Sequence, residues 1–490
     1  MPRRPTAEQL SAVKARLQAN PKLSAIFDDL IDFLQASEYQ VILMMGHSGV
    51  WPPPIPANPN PGVTGSVEFG LFDYWLNNPP SDSVPLQELH YLWTYLELPF
   101  PKTLISLQNY KNLLAAVQPS GPGLVADDGS WFSESTYGGL DTYWADALLY
   151  YLYYYSTESW APFVQTPQTV TLSGASPSQV TIALVGDWGT GQYALGPYPS
   201  GPAVSVMQSI VGLNPDYIIH LGDVYYYGSS MEETANLVQM WPTAYAGKSF
   251  TLNSNHEMYS GAVGYYSALR TLLFKPQNLT SYFALQYGDT RQQGGPWTIV
   301  GLDSAYWSDS PLVMNGSIQS SGNTAQPAFL NNLRNNGLAP QNTIVLTHHN
   351  PVTTDGSAWV TDDWGSNLWA QVTAPGALNG TPKAWYWGHV HNGIVYPNPN
   401  KMGANMYGRC VGHGALPFGN AWGLQNLPKS QVQAYANTPD RNMPYLMMNG
   451  FMLLTITKTG QVTETYYQHD GTRAPWVNSN TYQLGGSADA

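Results

Sequence analysis

Five short apolar runs in this chain end in residues able to bind a metal ion. Gly186-Asp187-Trp188-Gly189 closes the first, Gly222-Asp223-Val224-Tyr225-Tyr226 the second and Asn253-Ser254-Asn255-His256-Glu257 the third. Two later runs end in Thr347-His348-His349 and Gly388-His389-Val390-His391. Each block alone has a plainer reading. A Gly-Asp after a strand is commonly a turn whose carboxylate caps backbone amides, and Asn255-His256 reads as a hydrogen-bonded loop pair. The five together, hard oxygens first and imidazoles last, carry the donor types of a mixed iron and divalent-metal pair. His389 and His391 alternate on an extended segment and share a face, so both rings can reach one site.

Such donors converge only if strands deliver them to one sheet edge. Thr181 to Val185, Tyr217 to Leu221, Ser249 to Leu252, Trp297 to Leu302, Thr343 to Thr347, Ala384 to Trp387 and Phe451 to Ile456 are β-prone runs. Helical or loop segments separate most of them. This pattern predicts an α/β domain of layered sheets over residues 181–468. No internal repeat or heptad is visible.

The first 165 residues read differently. Leu10, Val13, Leu17, Leu23, Ile26, Leu30 and Phe33 recur at mostly three- and four-residue spacing, which predicts amphipathic helices divided near Pro21. A proline-dense loop follows from Trp51 to Pro61, then helical patterns at Leu86 to Tyr95, Leu104 to Val117 and Asp141 to Tyr155. Residues 1–165 are therefore expected as a mainly helical domain of unknown role, with 166–180 as a linker and 469–490 as a tail. The tyrosines and tryptophan of that region, such as Trp144, Tyr150, Tyr151 and Tyr155, read as core or interdomain packing.

The start, Met1 to Ala7, is basic but runs into a helical pattern instead of an apolar signal segment. The compartment stays open, with the cytoplasm favoured over secretion. Ala147 to Tyr155, the most apolar run, is far shorter than the roughly 20 residues of a membrane span. Cys410 is the only cysteine, so neither an intrachain disulfide nor a thiolate cluster can form. With 19 Lys plus Arg against 32 Asp plus Glu, the formal charge of -13 opposes a long polyanion such as nucleic acid. A small phosphorylated substrate remains compatible, because bound cations set the field where they sit. Hydrophobic residues at 43% suffice for a full core.

At the five blocks the sequence resembles the calcineurin-like metallophosphoesterases, and more narrowly the purple acid phosphatases. The shared pattern is Gly-Asp-x-Gly, Gly-Asp-x-x-Tyr, Asn-His-Glu, Val-x-x-His and Gly-His-x-His, covering roughly Thr181 to Gln468. Gly189 stands where most of the wider superfamily has a ligating histidine, and Tyr226 lies three residues beyond Asp223. Two departures are Ser254, where relatives carry glycine, and a helical amino-terminal region where plant-type relatives carry a β-sandwich. The resemblance implies an αββα sandwich holding Fe(III) and a divalent ion (Zn, Mn or Fe). It implies a ferric site of Asp187, Asp223, Tyr226 as phenolate, and His391. The divalent site would be Asp223, Asn255, His348 and His389, with Asp223 bridging.

Those ligands imply a phosphoesterase in which a metal-bound hydroxide attacks phosphorus in line, with phosphate monoesters as the leading substrate reading. The alternatives are a phosphodiesterase on the same metals and a catalytically weak binding protein of the same fold. His256, beside Asn255, is the first candidate for the acid that protonates the leaving alkoxide, and His349 the second. Glu257 could orient His256, His413 could reach the substrate, and Asp303 could support the site or cap a strand end. Oligomeric state is not readable.

Overall fold

The computed structural model describes residues 159–485, apart from 198, 289–296 and 362–366, together with parts of 117–155. The helices expected at Thr6 to Leu34, Leu86 to Tyr95 and most of Leu104 to Val117 lie outside the described residues. Within 117–132 the chain forms a small antiparallel sheet of β1 (Val117–Ser120), β2 (Gly123–Ala126) and β3 (Trp131–Phe132). Of the helix expected at Asp141 to Tyr155, helical residues are described at 147, 150, 151, 154 and 155.

Fourteen more strands build two large sheets. In chain order they are β4 (Thr169–Thr171), β5 (Gln179–Val185), β6 (Tyr217–His220), β7 (Ser249–Thr251), β8 (Phe283–Tyr287), β9 (Trp297–Gly301) and β10 (Thr343–Thr347). Then come β11 (Ala384–Trp387), β12 (Gly393–Val395), β13 (Tyr407–Val411), β14 (Ala434–Tyr435), β15 (Gly450–Thr457), β16 (Gln461–Gln468) and β17 (Asn480–Gln483). One sheet has the order β14-β12-β13-β11-β10-β9-β8-β4 and the other β17-β16-β15-β5-β6-β7. The stretch expected as a linker is built in, since β4 pairs with β8 and Gln179 already opens β5. The stretch expected as a tail supplies β17, paired with β16.

Side-chain alternation along the strands sorts residues into layers. Ile182, Leu184, Ile219 and Phe250 of one sheet meet Leu285, Ile299, Ile344, Leu346 and Tyr386 of the other, forming the central core. Ala183, Val185 and Ile218 point the opposite way, under α1 (Pro202–Leu213). Gly201 and Pro202 open that helix, and Asn214 closes it at φ 49. Its buried face is Ala203, Val206, Met207 and Ile210, spaced by three, one and three residues as one helical face requires. On the far side Val300, Val345, Trp385 and Trp387 lie under Leu330 and Leu333 of the helix Ala325–Asn335. The order helix, sheet, sheet, helix is the expected αββα sandwich.

Polar groups also cross the central core. Glu464 of β16 accepts from Arg409 Nε of β13 at 2.6 Å and from Tyr386 Oη of β11 at 2.9 Å, so an ion pair joins the sheets. Among the described residues no helix is long and apolar enough to cross a membrane.

The site follows from the parallel strands. β5, β6 and β7 run parallel, with Val185 level with His220 and His220 with Thr251. β9, β10 and β11 do the same, with Thr347 level with Trp387. Loops leaving their carboxyl ends meet along one rim, the usual place for ligands in α/β sheets.

Candidate metal centre

Asp187 leaves β5 at φ 57, Asp223 leaves β6 at φ 75 and His389 leaves β11 at φ 65. Left-handed backbone is uncommon outside glycine, and three such turns at one rim mark a tightly determined site. Two glycines keep room for the donors. A Cβ on Gly222 would lie 2.7 Å from His348 Nδ1, and one on Gly388 would lie 2.6 Å from Asp187 Oδ2.

The floor of the site is Asp187, Asp223, His348 and Asn255, all buried. His348 Nδ1 donates to the Leu221 carbonyl at 2.9 Å, and burial lowers its proton affinity, so the ring is neutral with a lone pair on Nε2. That lone pair faces Asn255 Oδ1 at 2.9 Å and Asp223 Oδ1 at 3.2 Å. The Asn255 amide is turned the same way because its Nδ2 donates to Tyr259 Oη at 3.0 Å. Three acceptors with no proton among them converge, an arrangement that a cation stabilises and its absence penalises. The donor set therefore fits the metal that the sequence pattern implies.

A second group of donors adjoins the first. His391 Nε2 lies 3.5 Å from Asp187 Oδ1 and 3.9 Å from Asp223 Oδ2, and the His389 amide donates to Asp187 Oδ2 at 2.9 Å. Asp223 thus faces His348 with one oxygen and His391 with the other. Its partner Asp187 is pushed up as an acid by burial and by the Asp223 charge. The His389 ring is 5.1 Å from that of His348. With the carboxylates at 0% and the His391 side chain at 29% exposure, the opening is on the histidine side.

Six of the seven expected ligands are brought together; Tyr226 is not. Its ring stacks on Tyr137 at 4.7 Å, its hydroxyl accepts from the Tyr137 amide at 3.4 Å, and its own amide donates to Glu232 Oε1 at 2.6 Å. The neighbouring Tyr225 is buried among the donors instead, its hydroxyl 2.9 Å from Asp223 Oδ2 and 3.3 Å from both Asp187 Oδ1 and His391 Nε2. Sequence spacing missed it because three consecutive tyrosines follow Val224 on an irregular loop, where no periodicity says which one points inward.

His256 sits beside the floor in α2 (Asn255–Tyr259). Its Nδ1 donates to the Tyr226 carbonyl at 2.6 Å, which aims Nε2 at Asp223 Oδ2, 3.8 Å away. Both nitrogens of His349 are engaged, Nδ1 with Ser304 Oγ at 2.8 Å and Nε2 with the Val313 carbonyl at 2.6 Å. Ser254 caps α2, accepting from the His256 amide at 3.1 Å, and its hydroxyl also contacts Asp223 and Glu257. Glu257 therefore bonds Ser254, not His256. Burial, then the Asp223 charge, raises Glu257 to about 8. Asp303 accepts from the amides of Ala305 and Tyr306 at 3.0 and 2.9 Å, the strand-end cap, and also meets Asn253 Nδ2. His413 packs among Phe418, Tyr466 and Trp476, and burial lowers it to about 3.

The sequence profile of the calcineurin-like phosphoesterase family matches residues 180–393. No curated protein matches the chain. Among solved structures, a purple acid phosphatase, PPD1, from yellow lupin (Lupinus luteus) is similar at 14% identity and a TM-score of 0.39. The match covers 66% of this chain and 55% of the lupin chain, so only about half of that protein is represented. GAP50, the anchor in the inner membrane complex of Plasmodium, is similar at 12% identity and TM-score 0.38, covering 63% of this chain and 90% of its own. A 5'-nucleotidase precursor from Thermus thermophilus is similar at 12% identity and TM-score 0.28, covering 62% of this chain and 54% of its own. The family match spans all the donors from Asp187 to His391, on the αββα frame just described. Residues 180–393, which carry every donor described above, thus match the calcineurin-like phosphoesterase family.

Proposed function

We propose that the chain hydrolyses phosphate monoesters at a binuclear centre of the purple acid phosphatase kind. The observation that carries this reading is the convergence of His348 Nε2, Asn255 Oδ1 and Asp223 Oδ1, lone pair to lone pair, inside the phosphoesterase domain. Asp187, Asp223 and His391 would hold the harder ion, Fe(III), and Asp223, Asn255, His348 and His389 a divalent ion, Zn, Mn or Fe. When bound, two such ions supply a water acidified for attack and positive charge for the phosphoryl oxygens.

The chain's own residues do the rest. Asp223 presents one oxygen to each half of the site, so its single charge serves both. Hydrogen bonds from His348 to Leu221 and from Asn255 to Tyr259 fix the donor atoms before substrate arrives, which lowers reorganisation. The ester enters from the open histidine side. His256 would give a proton to the leaving oxygen as the imidazolium, with Nδ1 held by the Tyr226 carbonyl and the second proton on Nε2, 3.8 Å from Asp223 Oδ2; burial lowers its affinity for that second proton.

The test is metal analysis and a panel of phosphate esters on one purified sample. Two metals per chain with faster turnover of monoesters is the expected result. Preference for diesters would reassign the substrate, and two metals without turnover would make the chain a binding protein of this fold.

A further inference from the structure

We propose that His349 is a positioning residue: it pins the turn Pro311–Val313 on the leaving-group side of the site, and the turn sets where the organic portion of the ester lies. The inference rests on the phosphoesterase reading and adds to it a side chain that acts through the turn. The His349 ring is buried, with both nitrogens in use. Ser304 Oγ accepts from the His349 amide at 3.1 Å and so turns its own proton to Nδ1, 2.8 Å away. The neutral ring then carries its hydrogen on Nε2, which donates to the Val313 carbonyl at 2.6 Å. These bonds fix one tautomer, and that tautomer suits a tether.

The tethered turn needs holding. Leu312 and Val313 stand at φ 51 and 56, two consecutive residues with side chains in left-handed backbone, and valine is β-branched. Such a conformation persists only where its surroundings impose it. Besides the bond from His349, the Leu312 amide donates to Tyr151 Oη at 3.2 Å and the Val313 amide to the Ser310 carbonyl at 3.0 Å. Gly316 brings the end of the loop against His349, where a Cβ would lie 2.7 Å from His349 Cβ. The turn packs on α2, which carries Asn255 and His256. On the other flank the His349 ring lies 4.7 Å from that of His389, on the open side of the site. Met314, next in the chain, is 47% exposed, so the segment ends at solvent with an apolar side chain. The turn thus borders the helix of His256 and, through His349, the ring of His389. A leaving group that takes its proton from His256 must lie on this side.

The full chain with its metals is compared with His349→Ala and with His349→Gln, whose amide can still donate to the Val313 carbonyl. Three readouts are taken: chymotryptic cleavage mapped by mass spectrometry, kcat and KM for nitrophenyl phosphate, and inhibition by inorganic phosphate, which meets the metals but has no organic portion. In His349→Ala the chain should be cut at Leu312 or Met314, and KM should rise about 3- to 10-fold, the scale of one hydrogen bond. Its kcat, metal content and inhibition by phosphate should stay near those of the parent. His349→Gln should recover both the protection and the KM. Protection and KM unchanged in His349→Ala would overturn the inference, as would ester and phosphate weakened equally or a metal lost, since His349 would then support the ligands. Should His349→Ala fail to fold, Ser304→Ala, which removes the partner of Nδ1, decides by the same readouts. A parent chain that holds its metals and turns over no ester would overturn the phosphoesterase reading and the leaving-group role with it, whereas an uncut turn in His349→Ala with esters still hydrolysed would overturn this inference alone.

Discussion

Asn255 Nδ2 donates to the hydroxyl of Tyr259, one helical turn further along α2, at 3.0 Å. This bond decides which end of the amide faces His348. Without it the amide is free to rotate and present nitrogen where oxygen is needed. Tyr259→Phe is therefore expected to weaken one metal about 10- to 100-fold, the usual cost of removing an outer partner. The ion near Asp187 should be held as before. Competition titration against a chelator reads both affinities, and an equal loss at the two positions would refute the link.

Asp223 turns one oxygen toward His348, 3.2 Å away, and the other toward His391, 3.9 Å away. Asp223→Asn should cost more activity and more metal than any other single ligand change. Elemental analysis beside turnover checks it. Two metals retained with near-parent rates would show that the residue does not bridge.

His256 is aimed at the site without joining the donor cluster. His256→Ala should leave both metals in place and slow alkyl phosphates by about 10²- to 10⁴-fold, with nitrophenyl phosphate, whose leaving group needs little help, affected far less. The ratio of the two rates is the measurement. Equal slowing would mean that the ring binds phosphate, and loss of a metal would mean that it supports the loop. His349 is a poorer acid than its position in the sequence suggests, since Ser304 and Val313 occupy both its nitrogens.

Glu464 is buried against Arg409 and Tyr386 between the sheets. Glu464→Ala leaves the guanidinium buried without its partner, and breaking such a pair costs about 3–5 kcal/mol. The urea midpoint should fall with little change in slope. A loss below about 1 kcal/mol would equate the pair with one at the surface.

The donors were legible because each closes a continuous apolar run, and parallel strands buried on both faces show that pattern strongly. β5, β6, β7, β9, β10, β11 and β15 appear in the sequence within a residue or two of their observed ends. β13 did not, because Tyr407–Val411 carries Gly408 and a buried Arg409. β16 alternates as a strand should, yet its inward face includes Glu464 and Gln468, so hydrophobicity alone hides it. β4 and β17 are short, polar edge strands whose pairing depends on partners distant in sequence.

The strand order has a consequence for how the centre comes into being. β5 carries Asp187, and its sheet neighbours are β6 and β15, the latter formed by Gly450–Thr457. A ribosome adding about 5–20 residues per second delivers β5, β6 and β7 long before β15. Until then the nascent chain has a bare β5 edge, with unpaired amides and carbonyls beside an apolar face. Asp187 therefore gains its final support only when the last part of the domain has emerged. Growing chains of this protein should need protection from edge-to-edge association during that interval, and the metal is expected to be captured after synthesis instead of during it.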